Sequence, residues 1–548
     1  MENFAVYYHD RTKHLPWRYA ASPGYLDWET QPYPYRFWEG APRLELPFPP
    51  DPEAPYEYLY LYPKEVKPFG VETVAKFLEL ALGLSAVKSA GGSTWTVRMN
   101  PSSGNLHPTE AYLVIPDLGG LSGVFHYNPY LHALEKLRDL PAPLARALKN
   151  HFGTEGFMLV LTAIPWREAW KYGERAFRYC LLDAGHAVGS VRFSANLQGW
   201  KATYLNALSD DDLETILGFD KVSFPPGEEE LPELALWVYP NSVSEVPKDL
   251  PPELVEAFRN LPFYGRPNLL SPERRIWSLV YEAFKRLKKP KTPPRKFVYE
   301  NKPLKFLVEP AIKRAAEVIR RRRSGHAYDP RAAVSEEAFL QILDRTLPRN
   351  FASPFDAEVS PAYANLVVFV HRVVGLPPGL YLFVRNRELL PLLRGRLRPE
   401  FLWEEVREDL FLLAEGDLTR EAGYLSCMQD IAADAAFALA VLSLFGPVVE
   451  RAPWEYRNLH YEAGLIGQAL YLEATALGLK GTGIGCFYDD LTHQLLGLAE
   501  VEPPLGGNLL ETHLSVDRTF QVLYHFAVGK AFEDPRLKTL PPYSHLRR

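Results

Sequence analysis

The chain has 548 residues, 47% hydrophobic and 23% charged, a balance that supports a large buried core and excludes a disordered chain. At this length two or more domains are expected, because one core stops growing near ~250–300 residues. A net charge of −6 invites neither nucleic acid nor an anionic membrane, and three cysteines (Cys180, Cys427, Cys486) are too few and too scattered for a disulfide framework or a zinc site, as in a reducing compartment.

The opening residues have neither a basic run nor an apolar run, so no signal peptide is expected and the chain reads as cytoplasmic. Residues 1–65 form an aromatic and proline-rich arm, with Tyr8-His9 and Arg36-Phe37-Trp38, that wraps the partner half, lines a pocket or is purely structural. Residues 66–245 make a first domain: an amphipathic helix over Val71–Leu84, a strand over Ala111–Ile115, a long alanine-rich helix ending near Gly199, and a closing strand at Leu234–Tyr239. Residues 246–310 differ in composition and read as a structured connector, with one helix starting at Ser271-Pro272-Glu273 and an apolar face of Ile276, Leu279, Val280 and Phe284. Its Lys288–Arg295 run reads as a solvated face.

Residues 311–548 make a second domain in the same order: a helix over Ser335–Leu347, strands over Leu366–Val370 and Gly379–Phe383, a long helix ending near Gly478, and a strand over Gln521–Gly529. Ile431–Val449 is apolar for the length of a membrane span. It carries Asp434 and is broken by Gly446-Pro447, so it reads as a helix buried in a soluble protein. Proline is abundant (49) and methionine scarce (4), a bias seen in heat-adapted proteins.

The two domains are copies. Sliding the chain by 279 residues lays Arg178–Gly218 on Arg457–Gly497 without a gap, and 11 of these 41 positions are identical, about four times the chance level. Ala184-Gly185 falls on Ala463-Gly464, Gly199 on Gly478, Lys201 on Lys480, and Asp210-Asp211 on Asp489-Asp490. A second correspondence sets Gly123–Tyr127 beside Gly379–Phe383. The expected fold is α+β, each domain a mostly antiparallel sheet flanked by helices, and the two domains pairing as a pseudo-symmetric dimer within one chain.

Neither a metal-binding spacing nor a GxSxG elbow nor an early GxGxxG is present, so no metal is expected. Three features remain. Arg320-Arg-Arg-Arg323-Ser324 could grip a phosphate through guanidinium and hydroxyl groups, although an arginine run on a helix is usually a solvated face. Gly481-Thr-Gly-Ile-Gly485 lets backbone approach a flat or anionic ligand. Its repeat partners are Ala202, Tyr204 and Asn206, so the fold tolerates side chains there and a ligand explains the glycines better than packing does. Pro101-Ser-Ser-Gly-Asn105 is a turn rich in hydroxyl and amide groups, with no counterpart in the second half.

Together these residues resemble the nitroreductase superfamily, and within it the azoline oxidases, dehydrogenases of thiazole- and oxazole-modified peptides. The resemblance covers both halves and rests on Glu462-Ala-Gly-Leu-Ile-Gly-Gln468 followed by Gly481–Gly485. It implies FMN held by Arg322, Arg323, Ser324, Gly483, Ile484, Gly485 and Lys530, and covered by Ser102, Ser103 and Asn105 from the other half. It also implies a catalytic pair, Lys171-Tyr172, one of which removes a proton while the flavin takes hydride from a heterocyclic or peptide-derived substrate. The first half lacks the Arg-Arg-Ser and glycine segments, so one composite FMN site is expected. The rival reading is a reductase of nitro compounds or quinones fed by NAD(P)H; a third is a flavin-binding scaffold without turnover. Further homo-oligomerisation is left open.

Overall fold

Two 22-residue helices at the centre of the molecule, Ala176–Leu197 and Glu455–Ala476, begin and end 279 residues apart. Nearly every residue of both is buried, polar ones included, which explains why neither shows a single apolar stripe. In the computed structural model, which describes residues 2–506 and 512–546, these helices cross at their repeated glycines. A Cβ on Gly185 would lie 2.4 Å from the Tyr461 carbonyl oxygen and 2.9 Å from the Gly464 Cα; one on Gly464 would lie 2.2 Å from the Leu182 carbonyl. Only glycine lets the two backbones approach this closely.

Around this crossing the halves mirror each other. Arg178 pairs with Asp489 (2.8 Å), and its repeat partner Arg457 pairs with Asp210, so the two buried ion pairs exchange roles across the pseudo-twofold axis. Gly199 and Gly478 follow their helices with φ of +79° and +81°, a left-handed turn that L side chains rarely adopt.

Each half contributes a seven-stranded antiparallel sheet. The first runs, in spatial order, Arg43–Glu45, Ala133–Arg138, Leu121–Asn128, Thr109–Leu118, Phe157–Ala163, Leu231–Pro240, Trp200–Tyr204. The second runs Glu404–Arg407, Leu410–Glu415, Gly379–Phe383, Ala364–Val370, Phe437–Leu444, Phe520–Gly529, Lys480–Ile484. Gly123–Tyr127 and Gly379–Phe383 occupy matching places, third from the same edge, as the sequence correspondence required. A separate hairpin, Leu84–Ala90 with Ser93–Arg98, pairs with Lys538–Leu540 near the C-terminus.

Three expectations change. The apolar run Ile431–Val449 is not one helix: it holds the end of a short helix (Asp430–Asp434), the central strand Phe437–Leu444 and a helix at Gly446–Arg451. That strand is buried on both faces, so it shows no alternation and its run cannot be told from a buried helix by periodicity. The connector helix starts at Ser278, not Ser271. Ser271 donates its backbone N–H to Glu228 and its hydroxyl to the Thr30 carbonyl instead, and Ile276 is 59% exposed. Finally, Cys427 and Cys486 are joined by a disulfide with Cα atoms 5.8 Å apart, although 59 residues separate them in sequence; Cys180 is a buried free thiol.

The arm crosses to the second half. Asn3 bonds the Val449 carbonyl, His9 the Tyr456 hydroxyl, and Lys13 pairs with Asp490 at 2.9 Å. Among the described residues no helix is long and apolar enough to cross a membrane.

Gly464→Ala should therefore destabilise the protein by about 1–3 kcal/mol, the usual cost of forcing atoms into a packed contact. Gly395→Ala, inside the helix Leu390–Arg396 where an added Cβ meets nothing within 4 Å, should instead stabilise by about 0.5–1 kcal/mol in denaturant unfolding.

Candidate functional site

A cavity of about 980 Å³ opens between the halves beside the helix crossing. Its walls come from Pro101–Asn105, Tyr172, Tyr179, Asp183 and His186 of the first half, and from Arg322–Ala327, Tyr471, Gly483–Cys486 and Tyr524 of the second.

One end is cationic, and the four-arginine run divides there. Arg320 is neutralised by Asp51 (2.5 Å) and Glu79 (2.5 Å), and the exposed Arg321 pairs with Glu317. Arg322 and Arg323 have no carboxylate partner among the described residues. Arg322 is 4% exposed, donates to the carbonyls of Arg98 and Met99 (both 3.2 Å), and stands 5.0 Å from the Tyr471 ring centre. Arg323 bonds only backbone carbonyls, and its Nε is buried without a partner. Burial, then the Arg322 charge, lowers Arg323 to about 10; burial lowers Arg322 as well. Two adjacent desolvated cations without an anion form a site that wants one.

Next to them Ser324 shares a hydrogen bond with the Tyr471 hydroxyl (2.7 Å), which accepts the Gly483 N–H at 2.8 Å. Gly481 and Gly483 lie within the strand Lys480–Ile484 rather than in a loop, and packing does restrict them. A Cβ on Gly481 would meet the Phe526 ring at 2.7 Å, one on Gly483 the Tyr524 hydroxyl at 1.9 Å, and one on Gly485 the Tyr179 ring at 2.8 Å. The preference for a ligand over packing at these glycines is thus corrected: aromatic neighbours exclude side chains there, while Gly483, Ile484 and Gly485 still border the cavity.

Tyr524 also reaches across the halves. Its hydroxyl donates to His186 Nε2 (2.9 Å), and His186 Nδ1–H donates to Gln468 (2.9 Å), the tautomer that satisfies both partners. Burial lowers His186 to about 4, so the ring is neutral.

Opposite the second-half strand lies the Ser102–Asn105 turn, anchored by one carboxylate. Asp183 accepts from Ser102 Oγ (2.7 Å), Ser103 N (3.1 Å) and Ser103 Oγ (3.2 Å). Asn105 reaches the Thr96 carbonyl, and Gly104 is required because a Cβ there would sit 2.7 Å from the Tyr172 hydroxyl. That hydroxyl has no hydrogen-bond partner among the described residues.

The structure thus gathers Ser102, Ser103, Asn105, Tyr172, Arg322, Arg323, Ser324, Gly483, Ile484 and Gly485 around one cavity. Lys171 and Lys530 do not line it. Lys171 ends the helix Pro165–Tyr172 with its ammonium 5.5 Å from the Tyr172 ring centre, and Lys530 is exposed beyond the last sheet strand, its carbonyl accepting from Asp329. Sequence reasoning missed Tyr179, Lys480, Lys88 and Arg536 among the lining. Lys480 had a signal, its identity with Lys201 in the repeat.

The pseudo-equivalent position is divided by the connector, leaving two smaller cavities of about 360 and 330 Å³ that both border Arg295. Where Gly483, Gly485 and Asp183 stand, the first-half site has Tyr204 and Asn206, with Glu462 from the second half. The connector runs through it: Asn206 exchanges hydrogen bonds with the backbone of Arg295 (2.7 and 3.0 Å), and Thr292 donates to the Asn206 carbonyl. Arg192, replacing Tyr471, is tied to Asp356 at 2.7 Å.

Comparison with known proteins agrees with this two-domain reading. A sequence profile for the "Nitroreductase family" matches residues 68–226 and 319–530. A putative nitroreductase of Methanocaldococcus jannaschii is 31% identical over 122 residues, 21% of this chain and 62% of that protein, so the chain spans less than two thirds of that relative. The crystal structure of a putative nitroreductase from Anabaena variabilis superposes with a TM-score of 0.69 at 20% identity, covering 97% of this chain and all of that one, a likeness of fold.

Thiol titration of denatured, unreduced protein should find one reactive thiol, Cys180, and three after reduction. Three before reduction would remove the Cys427–Cys486 bridge from the cavity wall.

Proposed function

The chain belongs to the nitroreductase family, and on that footing we propose that it is an FMN-dependent oxidoreductase with a single composite flavin site, acting as a dehydrogenase of the azoline-oxidase type on a heterocyclic or peptide-derived substrate. The observation that carries the flavin is the uncompensated pair Arg322–Arg323 beside Ser324: two desolvated cations and a hydroxyl match a terminal phosphate. Arg322, Arg323 and Ser324 would hold that phosphate. The strand edge at Gly483–Gly485, kept free of side chains, would receive the flat ring system, and the Ser102–Asn105 turn would cover it. Bound there, FMN supplies a two-electron hydride acceptor.

The chain's own residues do the rest. Tyr172 presents an unpartnered hydroxyl to the cavity and is the member of the Lys171-Tyr172 pair placed to meet a substrate. Lys171 stands behind the ring and supports its orientation and charge environment. Tyr179 and Arg175 both donate to the Gly485 carbonyl (3.1 and 3.0 Å), fixing the second-half wall against the first. A cavity of about 980 Å³ leaves room for a substrate beside a cofactor. With the connector crossing the pseudo-equivalent position and Asp356 neutralising Arg192, the stoichiometry expected is one FMN per chain.

Heat-released flavin counted against protein should give one per chain; two would mean that the connector yields to a second cofactor, and none after reconstitution would end the enzyme reading. Arg323→Ala should weaken FMN about 10- to 150-fold, the equivalent of ~1.5–3 kcal/mol for a lost charge-assisted contact. Direction is decided by anaerobic mixing. A thiazoline-containing peptide should bleach the flavin and NADH or NADPH should not; the reverse result makes the protein an NAD(P)H-dependent reductase.

A further inference from the structure

Beneath the Ser102–Asn105 turn two carboxyl groups lie together with no ion-pair partner among the described residues. Glu168, on the helix Pro165–Tyr172, is fully buried, and Asp183, on the central helix of the first half, is 3% exposed. Their hydrogen bonds account for a proton. Ser102 Oγ has one hydrogen, which goes to Asp183 at 2.7 Å, and it accepts the His107 N–H at 2.9 Å. It therefore has nothing to offer Glu168 Oε1, 3.4 Å away, and Glu168 Oε2 is buried with no donor at all. An ionised Glu168 would be a desolvated anion facing a second anion. A neutral Glu168 donating to Asp183 satisfies both groups.

We propose that Glu168 and Asp183 share one proton, with Asp183 serving as the base of the cavity and Glu168 holding that base charged and aimed. The inference rests on the dehydrogenase reading and adds its proton acceptor. Asp183 borders the cavity directly, whereas Lys171 does not. Burial raises Asp183 to about 6 despite its three donors, while burial and then the Asp183 charge push Glu168 well above the carboxylate range. The other groups facing the pair do not undo this. Lys171 lowers Glu168 through its charge, a weaker effect than burial, and Tyr172, Cys180, Tyr524 and Glu233 are themselves pushed up, burial first and the pair's charge adding to it.

The pair also has a preferred direction. Taking up a second proton yields two neutral acids, which a buried site tolerates, whereas losing the first leaves two buried anions side by side. It is thus built to accept protons. With FMN held in the cavity, the cofactor would supply the acceptor for the hydride that leaves one substrate C–H bond. The neighbouring C–H bond gives its proton to Asp183 and its electrons to the new double bond.

The test combines a spectrum and a rate on the FMN-loaded protein. In a pH-difference infrared titration the wild type should keep a protonated-carboxyl band at pH 8 that Glu168→Gln lacks, and gain a second near pH 6 that Asp183→Asn lacks. Anaerobic bleaching by a thiazoline peptide should rise with pH through about 6, as Asp183 ionises. Asp183→Asn should slow it on the order of 10²- to 10⁴-fold with FMN still bound, and Glu168→Gln, which keeps a donor, should retain much of the rate. Two ionised carboxylates in the wild type at pH 7, or an Asp183→Asn variant with the wild-type rate and profile, would overturn the proposal. The wild-type titration needs no variant to fold. If no thiazoline peptide bleaches the wild type, the substrate reading fails, and the infrared bands still decide the shared proton.

Discussion

The backbone contact between Gly185 and Gly464 is the constraint from which the rest follows. Because the two long helices touch through glycine, they lie close enough for Arg178 to reach Asp489 and Arg457 to reach Asp210, and for His186 to bridge Gln468 and Tyr524. Those bonds set the distance between the second-half strand Lys480–Ile484 and the first-half turn Ser102–Asn105. The cavity is what remains between them. Its polar lining and its dimensions are therefore consequences of a packing contact, and a larger residue at either glycine would move both walls.

The same contact explains several of the positions that the duplication has kept. Arg178 and Arg457, Asp210 and Asp489, and the Ala-Gly pairs all lie on the interface between halves, where each residue must satisfy its own domain and the pseudo-twofold partner. The sites proper have diverged. Among the described residues Arg322 and Arg323 are left without anions on one side of the molecule, while on the other Arg192 is closed by Asp356 and the connector is stitched into Asn206. A buried guanidinium without a partner is unfavourable unless something else brings the charge, so the two sides differ in whether their cations are answered from within the chain.

Much of this was legible in sequence because it depends on local or repeated patterns. The two long helices are legible from their length and alanine content, the strand Gly379–Phe383 and the closing strands from short apolar runs rich in aromatic and β-branched residues, and the 279-residue offset from the identities it aligns. What was hidden depends on three-dimensional neighbours. The strand Phe437–Leu444 looked like helix because both its faces are covered. The glycines of Lys480–Ile484 looked free of packing because the rings that exclude side chains, Phe526 and Tyr524, come from the adjacent strand some forty residues later. The lone pairs of Glu168 and the bridge between Cys427 and Cys486 leave no trace in spacing.

The connector does more than cross the second site. An active site that straddles two separate subunits exists only while they stay associated, so dilution removes it. Here the two walls belong to one polymer, and their encounter is intramolecular, governed by the effective concentration that the linking segment imposes. Assembly of the cavity is thus a first-order folding event, indifferent to how many copies of the protein a cell holds.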